Sequence, residues 1–555
     1  MEAFFDLIAP AVNALVDFVG RFWPSLLLMA GAFLLARSGR RAPRISAPSP
    51  RIAYAIVFAL SLVTGILTFA FRGEPMHDYA DDFGYLLTAD TFLHGRLTNP
   101  PLPLSAHFDS LYALQRPTYA AVYLPGNGLV LALGRLLSGR DIVGMQIATM
   151  LAAVALFWAL RGWISDGWAF LVGCLAAVHP TLAAWSNSLH GGALTAFGGA
   201  LMAGAVGRLR REPKVIDGVA FGAGAVLLAW TRLYEGFVVA AALTILLFVF
   251  RRRGLSKPAA AALIVIAAGV GFLMYFDVRV TGHPLKTPYV AYNERYLSAP
   301  NFIWERAGIM PRYDHPDFAF IYRHFRSYYF RNRVPAEFLR TVYAETVAHL
   351  CTAIPRVRTG AGDSLWLLEI LPFAAFLLAA FRDRAAAAIA AALAVAWLSL
   401  LAITWFTQPH YAAPSAGLFA VAIGIGFMTL DRWPFGEWLA RAAYVAMLVV
   451  ALIAMISSWR PNGVSDRTRM AETMTRRSGP HLVLVSENCY FYVFNGAEID
   501  AQRIVWARDL GDNADLLRYY ADRSVWSVRC GGGDRLAFVR APLRASVRQA
   551  FENYP

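Results

Sequence analysis

The sequence predicts a mainly α, polytopic membrane protein of about twelve transmembrane helices with a small C-terminal α/β domain. Three observations carry this reading. The 555-residue chain is 57% hydrophobic and only 16% charged, a balance foreign to soluble enzymes. Several apolar runs reach the ~18 residues or more needed to cross a hydrocarbon core of roughly 30 Å. Arg and Lys gather in the short loops between those runs, where the positive-inside rule places them on the cytoplasmic side. Helices rather than a barrel follow, because period-two alternation is absent and lipid admits only those two solutions.

Taken in order, the expected spans are 22–36, 52–71, 142–160, 166–185, 189–207, 216–231, 234–250, 257–276, 364–381, 386–405, 411–430 and 438–457. Residues 1–20 lack the basic start of a cleaved signal peptide, so they are expected to be retained. Arg37, Arg40, Arg41, Arg44 and Arg51 fix the first inside loop. Later basic loops carry Arg208, Arg210, Arg211 and Lys214, then Arg251 to Arg253, Arg382 and Arg384, and Arg432 with Arg441. All of them fall inside on one condition. The apolar stretch 122–138 must lie on the outer surface instead of crossing. Two long loops then face outward, 72–141 and 277–363, and the module 1–458 gives way to an external domain, 459–555.

In that C-terminal domain 481–485, 503–507, 524–528 and 536–539 read as strands, and 512–522 and 543–553 as helices. The four cysteines show no metal-ligand spacing, and Cys489 and Cys530 are either paired or free. The net charge of +14 is absorbed by topology, so nucleic-acid binding is not expected. No internal repeat is visible. A transporter or lipid flippase, the rival class, should show one, with ionisable groups near the membrane midplane.

Chemistry concentrates at the outer ends of the spans. Asp78, Asp81 and Asp82 lie within five residues, ahead of an amphipathic helix through Leu86, Ala89, Leu93 and Leu97. Each acid is either a general base or a helix cap. His107, Asp109 and Arg116 follow, then His179 and His190 around Trp185 to Ser188. Arg232 and Glu235 sit at a hairpin tip, spaced for an ion pair or for ligand contact. Lys286, Tyr289 and His410 complete the outer set. Ionisable groups beside spans are costly and tend to be functional. Loop 277–363 adds aromatics and arginines that suit either sugar phosphates or anionic headgroups.

Asp81-Asp-Phe-Gly-Tyr85, followed by Ala89, Leu93 and Gly95, resembles the first external loop of the GT-C glycosyltransferases. These include protein O-mannosyltransferases and the aminoarabinose transferase of lipid A. Asp82 stands where the family usually has Glu. Tyr123 to Gly134 resembles the family's surface-lying Pro-Gly helix, and Ile504 to Leu510 with Asp522 to Trp526 is similar to the tail of bacterial members. The resemblance implies an inverting hexosyl- or pentosyltransferase in the bacterial inner membrane. It would draw a sugar from a polyprenyl-phosphate donor at the external face and pass it to a lipid, glycan or protein acceptor. Asp81 becomes the candidate base and Asp82 the second acid. Arg232, Lys286 and His410 are candidates for the donor phosphate, and Glu235, Tyr85 and Tyr289 for substrate contacts. Some relatives use a divalent cation and others do not, and no metal-ligand set stands out here. A polysaccharide ligase with its site in 277–363 is the other enzyme reading. Sugar, acceptor and oligomeric state are not legible.

Overall fold

The computed structural model describes residues 22–77, 79–250, 254–353, 365–404, 408–486, 489, 492–529 and 535–540. Asp78, Cys530 and the helix expected at 543–553 lie outside them. The chain runs α1 (Phe22–Arg37), α2 (Pro50–Arg72) and α3 (Ala80–Leu93), then a two-stranded hairpin, β1 (Ala113–Leu114) and β2 (Ala120–Ala121). There follow α4 (Pro125–Ser138), α5 (Asp141–Trp163), α6 (Asp166–Ala177), α7 (Pro180–Ser186), α8 (Gly192–Leu209), α9 (Val215–Ala229), α10 (Leu233–Val249) and α11 (Ser256–Thr281). Three helices of the long loop come next, α12 (Pro288–Tyr296), α13 (Pro316–Arg331) and α14 (Pro335–Ala353). The helical part ends with α15 (Trp366–Ala380), α16 (Arg384–Leu401), α17 (Ala416–Asp431) and α18 (Gly436–Ser458).

Seven described helices are long and apolar enough to cross a membrane, or eight if α6 and α7, bent by 49°, count as one. The other four expected spans are helices α1, α9, α10 and α15, apolar elements of 10–17 described residues. Between α9 and α10 the helix breaks at a polar tip, where Arg232 takes φ −135°, ψ 85°.

α8 is the hub. The apolar window of α8 is 83% buried against 22% for α11, which lies on the rim. Small residues allow this, because without a Cβ two backbones can approach closely in a lipid-facing bundle. A methyl group on Gly199 of α8 would fall on the Pro414 carbonyl.

α4, the stretch expected to lie on the surface, has 14 residues, about 21 Å of helix. One face packs on α3 and α5, with Gly144 against the Val130 carbonyl. The other exposes Leu129, Leu133, Leu136 and Leu137, the pattern of an interfacial helix.

The two ends of the bundle differ in chemistry. At one end the loop after α1 meets the start of α18: Trp438 donates to the Arg40 carbonyl and Arg441 to that of Pro43. Arg208 and Arg211 lie there too, donating to the carbonyls of Trp158 and Arg161. At the other end Arg72, Asn462 and Gly73 join the exit of α2 to the segment after α18. That end carries Asp81.

The C-terminal part holds α19 (Asp466–Thr475), β3 (His481–Val485), β4 (Ile504–Arg508), α20 (Ala514–Tyr519), β5 (Ser524–Arg529) and β6 (Arg535–Arg540). The sheet order is β4-β3-β5-β6, parallel except for β6. Central β3 is buried along its whole length, as a parallel strand covered on both faces must be. Val483, Trp506 and Trp526 face Met470 and Met474 of α19. Leu482, Leu484, Val505 and Val525 pack on Leu87, Phe108, Tyr119 and Ala121. The sheet therefore shares a core with loop 72–141. Cys489 is disulfide-bonded, and Cys174 is free.

Candidate active site

Tyr79 is the N-cap of α3, its side chain making no capping bond, and Asp81 and Asp82 sit in the first helical turn. Neither acid is the cap, which corrects the capping alternative. Their ionised forms still gain from the helix N-terminus. Gly84 brings α3 against Tyr123, because a Cβ at Gly84 would clash with that ring. The Tyr123 hydroxyl donates to Asp81 Oδ1 at 2.6 Å. No other hydrogen bond reaches Asp81 among the described residues, and Asp81 is half-buried. Burial, with Asp81 adding to it, raises the Tyr123 phenol well above its usual value, so the proton stays on the tyrosine.

Asp82 is 4% exposed. Its Oδ1 lies 3.8 Å from His190 Nδ1, in the loop between α7 and α8. The His190 ring stacks on His410 at 5.2 Å between centroids, and His410 meets Tyr411 edge-on at 4.9 Å. Burial lowers His410 well below the usual imidazole value, and the positive Arg232 and the neighbouring His190 add to it. Burial also lowers His190, with Asp81 opposing and Arg232 reinforcing. Both rings are therefore neutral near pH 7.

Arg232 stands at the start of α10 with its guanidinium 4.2 Å above the Tyr411 ring and 3.7 Å from Glu235. The pair is the ion pair its spacing suggested. Burial alone would weaken the charge, but Tyr411, Tyr85 and Glu235 outweigh it, and Arg232 is raised. Tyr85 packs on Tyr123 at 4.2 Å and edge-on to His190 at 6.3 Å. Asp81 and Arg232 both act electrostatically on Tyr85, His190 and Tyr411. Asp81 and Glu235 both act on Tyr289.

One centre thus unites Asp81, Asp82, Tyr85, Arg232, Glu235, Tyr289 and His410. Lys286 is engaged instead by Glu294 of α12. Tyr123 and Tyr411 lie outside the expected site residues, and His190 enters from the outer polar groups. Their neighbours were legible, since each lies in or beside an outer polar segment, but nothing in the spacing aimed them at Asp81. His179 is explained locally, because its Nδ1 accepts from the Thr181 amide and caps α7. Tyr292, Tyr296 and Tyr322 of the aromatic loop are core residues around Phe318, not a sugar platform. Among the described residues no group of three or more His, Cys, Asp or Glu is arranged to hold a metal.

His107 and Asp109 serve a second, separate cluster. Arg508 of β4 forms a bidentate pair with Asp317 of α13 at 2.8 and 3.0 Å. Its Nε donates to the Asp109 carbonyl. His107 bonds the Arg508 carbonyl at 3.0 Å, and His315 lies 3.4 Å from Asp109. This buried clamp ties the sheet to both long loops.

Fold and centre define a polytopic helical membrane protein with one carboxylate–arginine–histidine centre at the end opposite its basic loops. No family model matches the sequence, and no curated protein matches it. Among solved structures the chain is similar to ArnT from Cupriavidus metallidurans in the apo state, at 12% identity and a TM-score of 0.47, over 86% of this chain and 93% of that one. It is also similar to the oligosaccharyltransferase of Archaeoglobus fulgidus in complex with Zn and sulfate, at 13% identity and a TM-score of 0.48, over 84% and 68%. A further match is AglB from Archaeoglobus fulgidus with an inhibitory peptide and a dolichol-phosphate, at 11% identity and a TM-score of 0.43, over 85% and 69%.

Proposed function

We propose that the chain is an integral-membrane glycosyltransferase of a bacterial inner membrane. It moves a sugar from a polyprenyl-phosphate donor to a lipid, glycan or protein acceptor at the external face. The observation that carries this reading is the meeting of a half-exposed Asp81, oriented by Tyr123, with the Arg232 guanidinium in one centre. The acceptor hydroxyl attacks the anomeric carbon, and the bond from that carbon to the phosphate oxygen breaks. The acceptor's proton passes to Asp81 and the leaving electron pair to the lipid phosphate. Direct displacement of this kind inverts the anomeric centre.

Asp81 suits the base because one oxygen is held by Tyr123 while the other takes no hydrogen bond among the described residues. Arg232 suits the phosphate because it is a permanent cation whose guanidinium is held in place by Glu235 and the Tyr411 ring. Neutral His410 and His190 offer donors without adding charge, and Tyr85 and Tyr289 supply ring faces to a sugar. Asp82, beside His190, is the second acid.

The test uses purified protein in liposomes with labelled polyprenyl-phosphate sugars and a membrane extract as acceptor. Asp81→Asn is expected to cut transfer ~100- to 10,000-fold, and Arg232→Gln by a comparable factor. Full transfer in both Asp81→Asn and Asp82→Asn would overturn the site. Movement of intact donor between leaflets without release of lipid phosphate would replace the enzyme by a flippase.

A further inference from the structure

A cleft of about 440 Å³ lies at the C-terminal end of α3, lined by Arg96, Thr98, Asn99, Thr118, Tyr275 and Arg279 among others. Asp81 is at the opposite end of that 14-residue helix, some ~20 Å away at 1.5 Å per residue. The cleft is therefore separate from the centre around Arg232.

Its polar groups are only partly used. Arg279 is exposed and makes no ion pair among the described residues. Arg96 lies 2.6 Å from Glu498, yet its Nε is buried without a hydrogen-bond partner, as is the Thr98 hydroxyl. Buried donors left unmade are costly, while the Arg96 side chain as a whole is 32% exposed. Asn99 is held by Thr91 and the Tyr119 carbonyl, and Thr118 by the Val280 carbonyl. The frame of the cleft is thus built into loop 72–141 and the end of α11.

The face of α11 that runs down to Arg279 is apolar: Ile264, Ala268 and Gly271 follow on it at helical spacing and are exposed, and Tyr275 at the cleft is 53% exposed. A hydrocarbon chain lying on that strip would deliver its head between two guanidiniums, with a tyrosine at the interfacial level where such rings settle. Paired arginines match phosphate oxygens better than any other side-chain set.

We propose that this cleft binds the phosphate of a membrane-anchored lipid whose chain lies along α11. The assignment does not rest on the transfer activity proposed above. Native mass spectrometry of the detergent-purified full chain tests it, with phosphatidic acid, a polyprenyl phosphate and inorganic phosphate as separate probes. The expected result is lipid retention that falls about tenfold in Arg279→Gln and further in Arg96→Gln/Arg279→Gln. Arg279→Lys should recover part of it, and Arg469→Gln, an exposed change on α19, should leave it intact. Retention of the polyprenyl phosphate alone identifies a carrier lipid as the source, and retention of phosphatidic acid alone a bulk phospholipid. Equal retention in wild type and double variant overturns the proposal, as does binding of inorganic phosphate with neither lipid retained. Thermal unfolding of Arg279→Gln, whose side chain is exposed and makes no ion pair among the described residues, separates lost binding from lost fold.

Discussion

Asp81 accepts one hydrogen bond from Tyr123, and that bond fixes the direction in which its second oxygen points. Tyr123→Phe is therefore expected to lower kcat about tenfold with little change in KM. An unchanged kcat would show that Tyr123 only packs. The His410 imidazole is lowered by burial and by Arg232 and His190, so the unfolded chain binds the proton more readily than the folded one. Stability is then indifferent to His410 above the free imidazole value of about 6.5 and falls as pH drops below it. Thermal unfolding at pH 7.5 and 5.5 checks this, since His410→Gln should shrink the difference between the two midpoints.

At the scale of elements, two contacts join distant parts of the chain. α8 reaches the turn before α17 because Gly199 lies against the Pro414 carbonyl, four residues from His410. Gly199→Ala must push that turn away. It is expected to lower transfer more than tenfold while costing roughly 1–3 kcal/mol of stability, read by comparing activity with detergent-resistant folding. The other contact is the Arg508–Asp317 pair, both side chains nearly fully buried. Removing one partner of such a pair costs about 3–5 kcal/mol, whereas replacing both by apolar residues is often neutral. Asp317→Asn should thus lower the unfolding midpoint sharply, and Arg508→Met with Asp317→Leu should recover much of the loss.

For the whole molecule the question is which end faces which compartment. The basic loops share one end and the polar centre the other, so a single orientation decides both. Ser38→Cys and Arg140→Cys, each exposed, are expected to label from opposite sides of sealed right-side-out vesicles in a background with Cys174 and Cys351 replaced by Ser. External labelling of Arg140→Cys alone supports an outward-facing centre, and external labelling of Ser38→Cys alone reverses it.

Residue type and run length by themselves determined the helical membrane class, the strands at 481–485 and 524–528, and the clustering of polar groups at the span ends opposite the basic loops. They also separated 122–138 from the long apolar helices, because the positions of basic loops constrain every neighbouring segment at once. That Asp81 and Asp82 stand at the start of a helix was legible; that they lie inside its first turn and do not cap it was not, since that depends on where the helix starts. Only the tertiary structure brought Tyr123, His190 and Tyr411 to Asp81 and Arg232, across up to 330 residues of chain. It likewise turned Asp109 and His107 from site candidates into parts of a clamp around Arg508, and gave Lys286 to Glu294. Sequence fixes what a side chain can do. Packing decides which charge it meets, and a charge's role is set by its partner.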